Sequence, residues 1–446
     1  MASTDGTLTN PETHDVVRLL RDLIRFDTSN PPGLERPCAE FLADLFRKGG
    51  VEPKLFEKEK GRTSVIARLK GDGTLPPLLL SSHIDVTPAL AGDWTHPPFA
   101  GEIHDGWIWG RGAVDMKHMA AMSLLVLLDL KKSGAKLKRD VIFAGVADKE
   151  AGGRLGAGFL VNEHADEVKA EFCLTELGGM AVPMAKGSIL PVQVAERGYE
   201  WFKIRVKGRS VHGSFPQPGS AIEKLAGAVE KLFKKPLGYH LSPTAREFIQ
   251  AVAAAQTAPA STLLLGLLNK NTVQATLRLV PEARRHAFRA MLFNSATPTV
   301  LHAGAKVNSV PREAEAQIDG RYLPGVSREE FFAEVQAVIG PDFEIVPIDG
   351  GPPIEMPFDS GVLDAIRTVF ARRVPDAKVV PYLMPGLTDA KHYARAGTRT
   401  YGFAPVELQR DEPFAVLYHS PNERISAKGL VTGLSWLQDV VTLLAT

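Results

Sequence analysis

Leu78-Leu79-Leu80-Ser81-Ser82-His83-Ile84-Asp85 is the stretch on which the fold turns. An apolar run this short, closed by small polar residues, predicts a strand buried on both faces of a parallel sheet. His83 and Asp85 stand two apart at its end, so their side chains leave on the same face. That spacing lets an imidazole bind a metal while a carboxylate steadies the ring. Taken alone, the pair is a weak signal and reads more readily as a polar strand end under a turn. Further acids and a distant histidine have to decide between the two.

Upstream, Pro11 to Phe26 has the period of an amphipathic helix, with Val16, Leu19, Leu20, Leu23 and Ile24 on one side. Asn30-Pro31-Pro32-Gly33 breaks it, and a second helix runs from about Glu35 to Lys48. Ser64 to Leu69 reads as a strand, turned by Gly71-Asp72-Gly73 into the decisive stretch. Downstream, Gly110 to Lys117 leads into an apolar helix reaching about Leu130. Asp140 to Ala147 is another buried strand, ending in Asp148-Lys149-Glu150, and Glu171 to Thr175 ends at Glu176. Strands alternating with helices predict an α/β domain with a mostly parallel sheet and helices on both faces. Such open sheets bind ligands outside the carboxyl ends of their strands.

The pattern then changes. Tyr199 to Val206 half-alternates, as in an antiparallel strand with one wet face. A helix from Ser220 to about Phe233 and an alternating strand from Ala314 to Tyr322 follow. These place a smaller inserted α+β domain at about 197–323, between first-domain segments 1–196 and 324–446. Pro236 to His302 is mixed and carries no clear period. Phe332 to Ile339 and Gly361 to Arg373 read as helices of the resumed first domain.

The chain has 446 residues, ample for two domains with large cores, and is 44% hydrophobic and 23% charged. Its formal charge of +1 gives no reason to expect nucleic acid or an anionic membrane as a partner. Cys38 and Cys173 are its only cysteines, which predicts two buried thiols rather than a disulfide framework. Met1 to Asn10 is polar, with no signal-like apolar core, and no apolar stretch is long enough to span a membrane. A cytoplasmic protein is the expectation.

Several motifs occur in order: His83-Ile84-Asp85, Gly110-Arg111-Gly112-Ala113-Val114-Asp115-Met116-Lys117, Ala147-Asp148-Lys149-Glu150-Ala151-Gly152-Gly153 and Thr175-Glu176. Val211-His212-Gly213-Ser214, Asn308-Ser309-Val310-Pro311, Thr388-Asp389-Ala390 and Tyr418-His419-Ser420-Pro421-Asn422-Glu423 complete the series. Over nearly the whole chain they resemble the zinc aminopeptidase-like family of aminoacylase, acetylornithine deacetylase, succinyl-diaminopimelate desuccinylase and glutamate carboxypeptidase. The resemblance implies a di-zinc catalytic domain interrupted by a lid or dimerisation domain, with cobalt or manganese as possible substitutes for zinc. It implies a homodimer through the insertion, and hydrolysis of the amide bond of an N-acyl amino acid or small peptide by water on the metals.

Carried over by position, Asp115 would bridge the two ions, His83 and Glu176 would complete one, and Glu150 with His419 the other. Histidine and carboxylate ligands suit zinc and keep it Lewis-acidic. Asp85 would hold the His83 ring with its carboxylate. His212 would donate to the oxyanion across a dimer interface, and Asn308 would support the same pocket. Arg321 would bind a substrate carboxylate. Gly386 and Thr388 would contact substrate, although Leu387 stands where many members have a small residue. The resemblance also implies a cis peptide after Asp115.

Two positions depart from the pattern. His118 replaces a small or amide residue. More important, Lys149 occupies the slot of the glutamate that accepts a proton from the attacking water. A lysine ammonium has no acceptor and adds positive charge to a site built for two dications. The expected consequence is impaired hydrolysis. The alternatives are a catalytically silent binding or regulatory protein that keeps the metal pocket, a base supplied by Asp148, or an α/β protein without metal. Lys149 lies outside the inferred ligand set, so metal content should not depend on it.

Overall fold

The computed structural model describes residues 10–215, 217–409 and 416–446. Of the polar start, Met1 to Thr9 lie outside the described residues. The chain divides into two compact units, one of residues 1–193, 356–380 and 388–446, the other of 194–355 and 381–387.

In the first unit, Leu78–His83 forms a strand buried along its whole length. It pairs in parallel with Val141–Val146 on one side and Phe172–Thr175 on the other, and the latter pairs in parallel with Arg399–Gly402. Thr63–Leu69 and Pro53–Glu57 extend the sheet antiparallel at one edge, and Ser188–Glu196 does so at the other. The expected mostly parallel α/β sheet is therefore present.

Alternation sends successive side chains to opposite faces. Leu79, Ile142, Ala144 and Cys173 pack under Ala157, Leu160 and Tyr393. Phe143 points the other way and meets Phe46 of the helix Arg36–Lys48 at 4.9 Å between ring centroids. The helices Asp15–Ile24, Lys117–Ser133 and Ala427–Ala445 pack on one another beside it. Both cysteines are buried free thiols. A separate three-stranded sheet joins Glu102–His104, Trp107–Trp109 and Arg424–Ser426.

The second unit is a four-stranded antiparallel sheet in the order Ser295–Ala303, Glu313–Tyr322, Gly198–Lys207, Phe343–Gly351. Ala221–Lys234 and Arg328–Ile339 pack together on it. The latter helix is the one read over Phe332 to Ile339. It does not resume the first unit, because Phe343–Gly351 follows it and pairs with Gly198–Lys207. This unit therefore runs past Leu323 to Glu355. The ambiguous stretch after Pro236 is mainly helical: Pro243–Ala254, Ala260–Leu265, Val273–Leu279 and Glu282–Leu292. Among the described residues, no helix is long and apolar enough to cross a membrane.

Candidate metal centre

Three neighbouring parallel strands end at the same edge, and each delivers one candidate ligand. His83 closes its strand, Glu176 follows Phe172–Thr175, and Glu150 lies in the short turn Lys149–Ala151 after Val141–Val146. Asp115 arrives just before the helix Lys117–Ser133 and is followed by a cis Asp115–Met116 peptide, the geometry the resemblance implied. His419 arrives in a left-handed backbone conformation, φ 58°.

The five side chains form two overlapping triplets that share Asp115: His83, Asp115 and Glu176, and Asp115, Glu150 and His419. His83 Nε2 lies 2.9 Å from Asp115 Oδ1 and 3.8 Å from Glu176 Oε2. His419 Nε2 lies 3.0 Å from Asp115 Oδ2 and 3.3 Å from Glu150 Oε1. Ligand atoms at about 2.0–2.2 Å from one ion stand roughly 3.2–3.6 Å apart, so both triplets suit a metal with small adjustments. Glu176 Oε1 is buried and makes no hydrogen bond, an expensive arrangement unless a cation takes it.

A further His96, Glu102 and His104 grouping sits by the three-stranded sheet. Its imidazoles stack 3.6 Å apart with planes 12° apart, so their lone pairs run side by side and do not converge on an ion.

Asp85 meets the His83 ring through both its backbone carbonyl and its carboxylate. His83 Nδ1 is 2.9 Å from the Asp85 backbone carbonyl and 3.4 Å from its carboxylate Oδ1. Donation to that carbonyl leaves the Nε2 lone pair facing the cluster. The carboxylate accepts from Lys149 N at 3.1 Å, Glu150 N at 3.0 Å and Asn30 Nδ2 at 2.9 Å. It therefore anchors the turn that carries Lys149 and Glu150. Just before that turn, Asp148 is held at φ 72° by Arg62 at 3.0 Å and by the Leu155 amide at 2.9 Å. Arg62 is in turn gripped by buried Glu35. Asp148 is thus engaged away from the cluster, which counts against it as a substitute base.

Lys149 points inward. Its Nζ is 3.0 Å from Glu176 Oε2 and 3.4 Å from Asp115 Oδ1. Burial alone would lower its pKa, but Asp115, Glu176 and Glu150 outweigh burial and hold it well above the ordinary lysine range. Hydrogen bonds to Asp115 and Glu150 likewise raise His419 to about 10. His118 is fully buried on the helix, and burial lowers it to about 4, so it is neutral.

Sequence reasoning missed the residues that hold this constellation. Glu423, wholly buried, accepts from Val114 N at 2.7 Å and Asp115 N at 3.0 Å, and from Arg111 at 2.7 Å. Arg111 also donates to the His419 carbonyl at 3.2 Å. One ion pair thereby ties together the loops bearing Asp115 and His419. Both residues stood close in sequence to the candidate ligands Asp115 and His419, and that nearness was the available signal.

The remaining candidates divide between the units. Thr388 belongs to the first, where its hydroxyl accepts from Ala390 N at 3.0 Å. His212, Asn308, Arg321 and Gly386 belong to the second. His212 bridges Ser309, and its Nδ1 meets Ser214 Oγ at 2.8 Å. The Asn308 carbonyl accepts from Gly213 N at 2.9 Å. Arg321 is forked onto Asp319 at 2.8 and 3.2 Å, so it already has a carboxylate partner.

A family model described as "Peptidase family M20/M25/M40" matches residues 79–443. A probable carboxypeptidase S-like 2 of Dictyostelium discoideum is 32% identical over 417 residues, covering 90% of this chain and 78% of that protein. Aminoacylase-1 of Sus scrofa is 27% identical, covering 97% and 96%. Among solved structures, an M20 family metallo-carboxypeptidase of Sulfolobus solfataricus has a TM-score of 0.72 at 18% identity, covering 97% of this chain and 99% of that one. At that identity the likeness speaks for the fold alone.

Proposed function

The chain belongs to peptidase family M20/M25/M40, and on that footing we propose that it is a di-metal amidohydrolase scaffold for an N-acyl amino acid or small peptide. The observation that carries this reading is the meeting of His83, Asp115, Glu150, Glu176 and His419 in two triplets sharing one carboxylate. Imidazole and carboxylate donors without thiolate favour zinc, and cobalt or manganese fit the same set. Bound there, the ions would activate water and polarise the scissile carbonyl.

The chain's own groups do the rest. The Asp85 carbonyl fixes the His83 tautomer, and the Asp85 carboxylate fixes the turn that aims Glu150. His212, its Nδ1 occupied by Ser214, has Nε2 to offer a substrate oxyanion, with Asn308 supporting the same loop. Arg321 would take a substrate carboxylate in exchange for Asp319, and Gly386 and Thr388 would line the substrate. In this reading the second unit also pairs two copies. Its edge strand Ser295–Ala303 exposes Val300 and Leu301, and the helix Ala221–Lys234 exposes Ile222 and Phe233. An open apolar strand edge invites pairing.

Lys149 makes the hydrolysis slow. Its ammonium is bonded to Glu176 and Asp115 and has no lone pair to take a proton. The same lysine favours a second reading, a binding or regulatory protein that retains the pocket. Metal analysis of purified protein, followed by a panel of N-acyl amino acids and dipeptides, separates the possibilities. Metal with measurable turnover supports the hydrolase, and metal with binding but no turnover supports the second reading. Absence of both metal and binding would overturn the two together.

A further inference from the structure

The Lys149 ammonium stands inside the ligand cluster, and its placement there is lopsided. Nζ lies 3.0 Å from Glu176 Oε2 and 3.4 Å from Asp115 Oδ1, but 3.8 Å from Glu150 Oε2. Its two nearer contacts are the very oxygens that face His83 Nε2, at 3.8 and 2.9 Å. The other triplet faces His419 through different atoms, Asp115 Oδ2 and Glu150 Oε1. From this asymmetry, and resting on the metal-centre reading above, we infer that Lys149 is a tethered cation competing for the His83–Asp115–Glu176 position. The Asp115–Glu150–His419 position is left as the one tight metal site.

Charge and anchoring both support this. One dication and one ammonium neutralise the three ligand carboxylates, whereas two dications and an ammonium exceed them, and the excess is costly in a buried site. The lysine is also held in place. Asp85 accepts its backbone amide at 3.1 Å, and the side chain is only 9% exposed. An ammonium fixed on the chain acts at a high effective concentration, so a free ion must displace it at each binding event. The expectation that metal content is independent of Lys149 therefore gives way: the lysine is no ligand, but it sits among the atoms that are.

The test is a titration of chelator-treated full-length protein with Zn²⁺ by calorimetry and with Co²⁺ by visible absorption. The expected result is one tight ion per chain and a second at least about 100-fold weaker. Lys149→Met, of similar length and without charge, should tighten the weaker site by at least about tenfold, and Lys149→Arg should leave it weak. Adding His83→Ala to Lys149→Met should remove the gained ion and keep the tight one. Lys149→Gln serves if the methionine variant fails to unfold cooperatively. Two equally tight ions in the wild type, or a second site unmoved by loss of the charge, would overturn the inference and leave the metal-centre reading standing. Binding of no ion by any of these proteins would overturn the metal-centre reading itself.

Discussion

Glu423 takes the Arg111 guanidinium on one carboxylate oxygen at 2.7 Å and the backbone amides of Val114 and Asp115 on the other. The bridging candidate Asp115 is thus positioned by a residue far along the chain. Glu423→Gln keeps the size and removes the charge. It should cost about 3–5 kcal/mol, because Arg111 is left buried without its partner. It should also weaken metal binding by about 10–100-fold, since the Asp115 loop loses its anchor. Urea unfolding of metal-free protein and a metal titration measure the two effects separately. A stability loss with unchanged metal affinity would show Glu423 to be structural only.

Asp389 gives the pH dependence. Burial, opposed by Lys391, pushes its carboxyl from 3.8 up to about 7. Between those values the folded chain holds a proton that the unfolded chain has released. The associated stability is present below about pH 4 and is lost as pH rises toward 7, up to about 4 kcal/mol in all. Asp389→Asn should flatten that decline in metal-free protein, as read from unfolding midpoints at about pH 5 and about pH 8. Parallel pH curves for the two proteins would refute it.

Association is tested at the open strand edge. Val300 and Leu301 are exposed on Ser295–Ala303. Leu301→Lys should shift the protein toward monomer in sedimentation velocity while the chain keeps its folded circular-dichroism spectrum, because that side chain is exposed in the single chain. A wild type that is monomeric at every concentration would remove the proposed role of His212 across an interface.

The legible parts of this chain were those written in local pattern. The buried run Leu78 to His83, the two short strands ending in Glu150 and Glu176, and the alternation of Glu313–Tyr322 all follow from side-chain period and from polar residues at strand ends. The placement of Arg328–Ile339 was not legible. A helix is read from its own period, but the unit it joins depends on where the next strand pairs, and Phe343–Gly351 pairs with a strand far upstream. The helices after Pro236 were obscured by short lengths and a weak apolar period. The supports Glu35, Arg62, Arg111 and Glu423 were hidden because charged residues read as surface until a distant partner buries them. Asp85 was placed in the site, yet its carboxylate serves the backbone of the next strand's turn, a contact no spacing encodes.

The most direct measurement is hydrolysis of N-acyl amino acids by wild type and Lys149→Glu, both supplied with saturating metal. Lys149 Nζ is bonded to Glu176 and Asp115 and has no lone pair to take a proton, whereas a carboxylate at that position has one. The expected result is a gain of about 10²–10⁴-fold in kcat on replacing lysine by glutamate. A wild type that turns over well and is slowed by glutamate would contradict the account. It would make Lys149 a working group or place the base elsewhere, and Asp148, tied to Arg62 and the Leu155 amide, is poorly free to be that base.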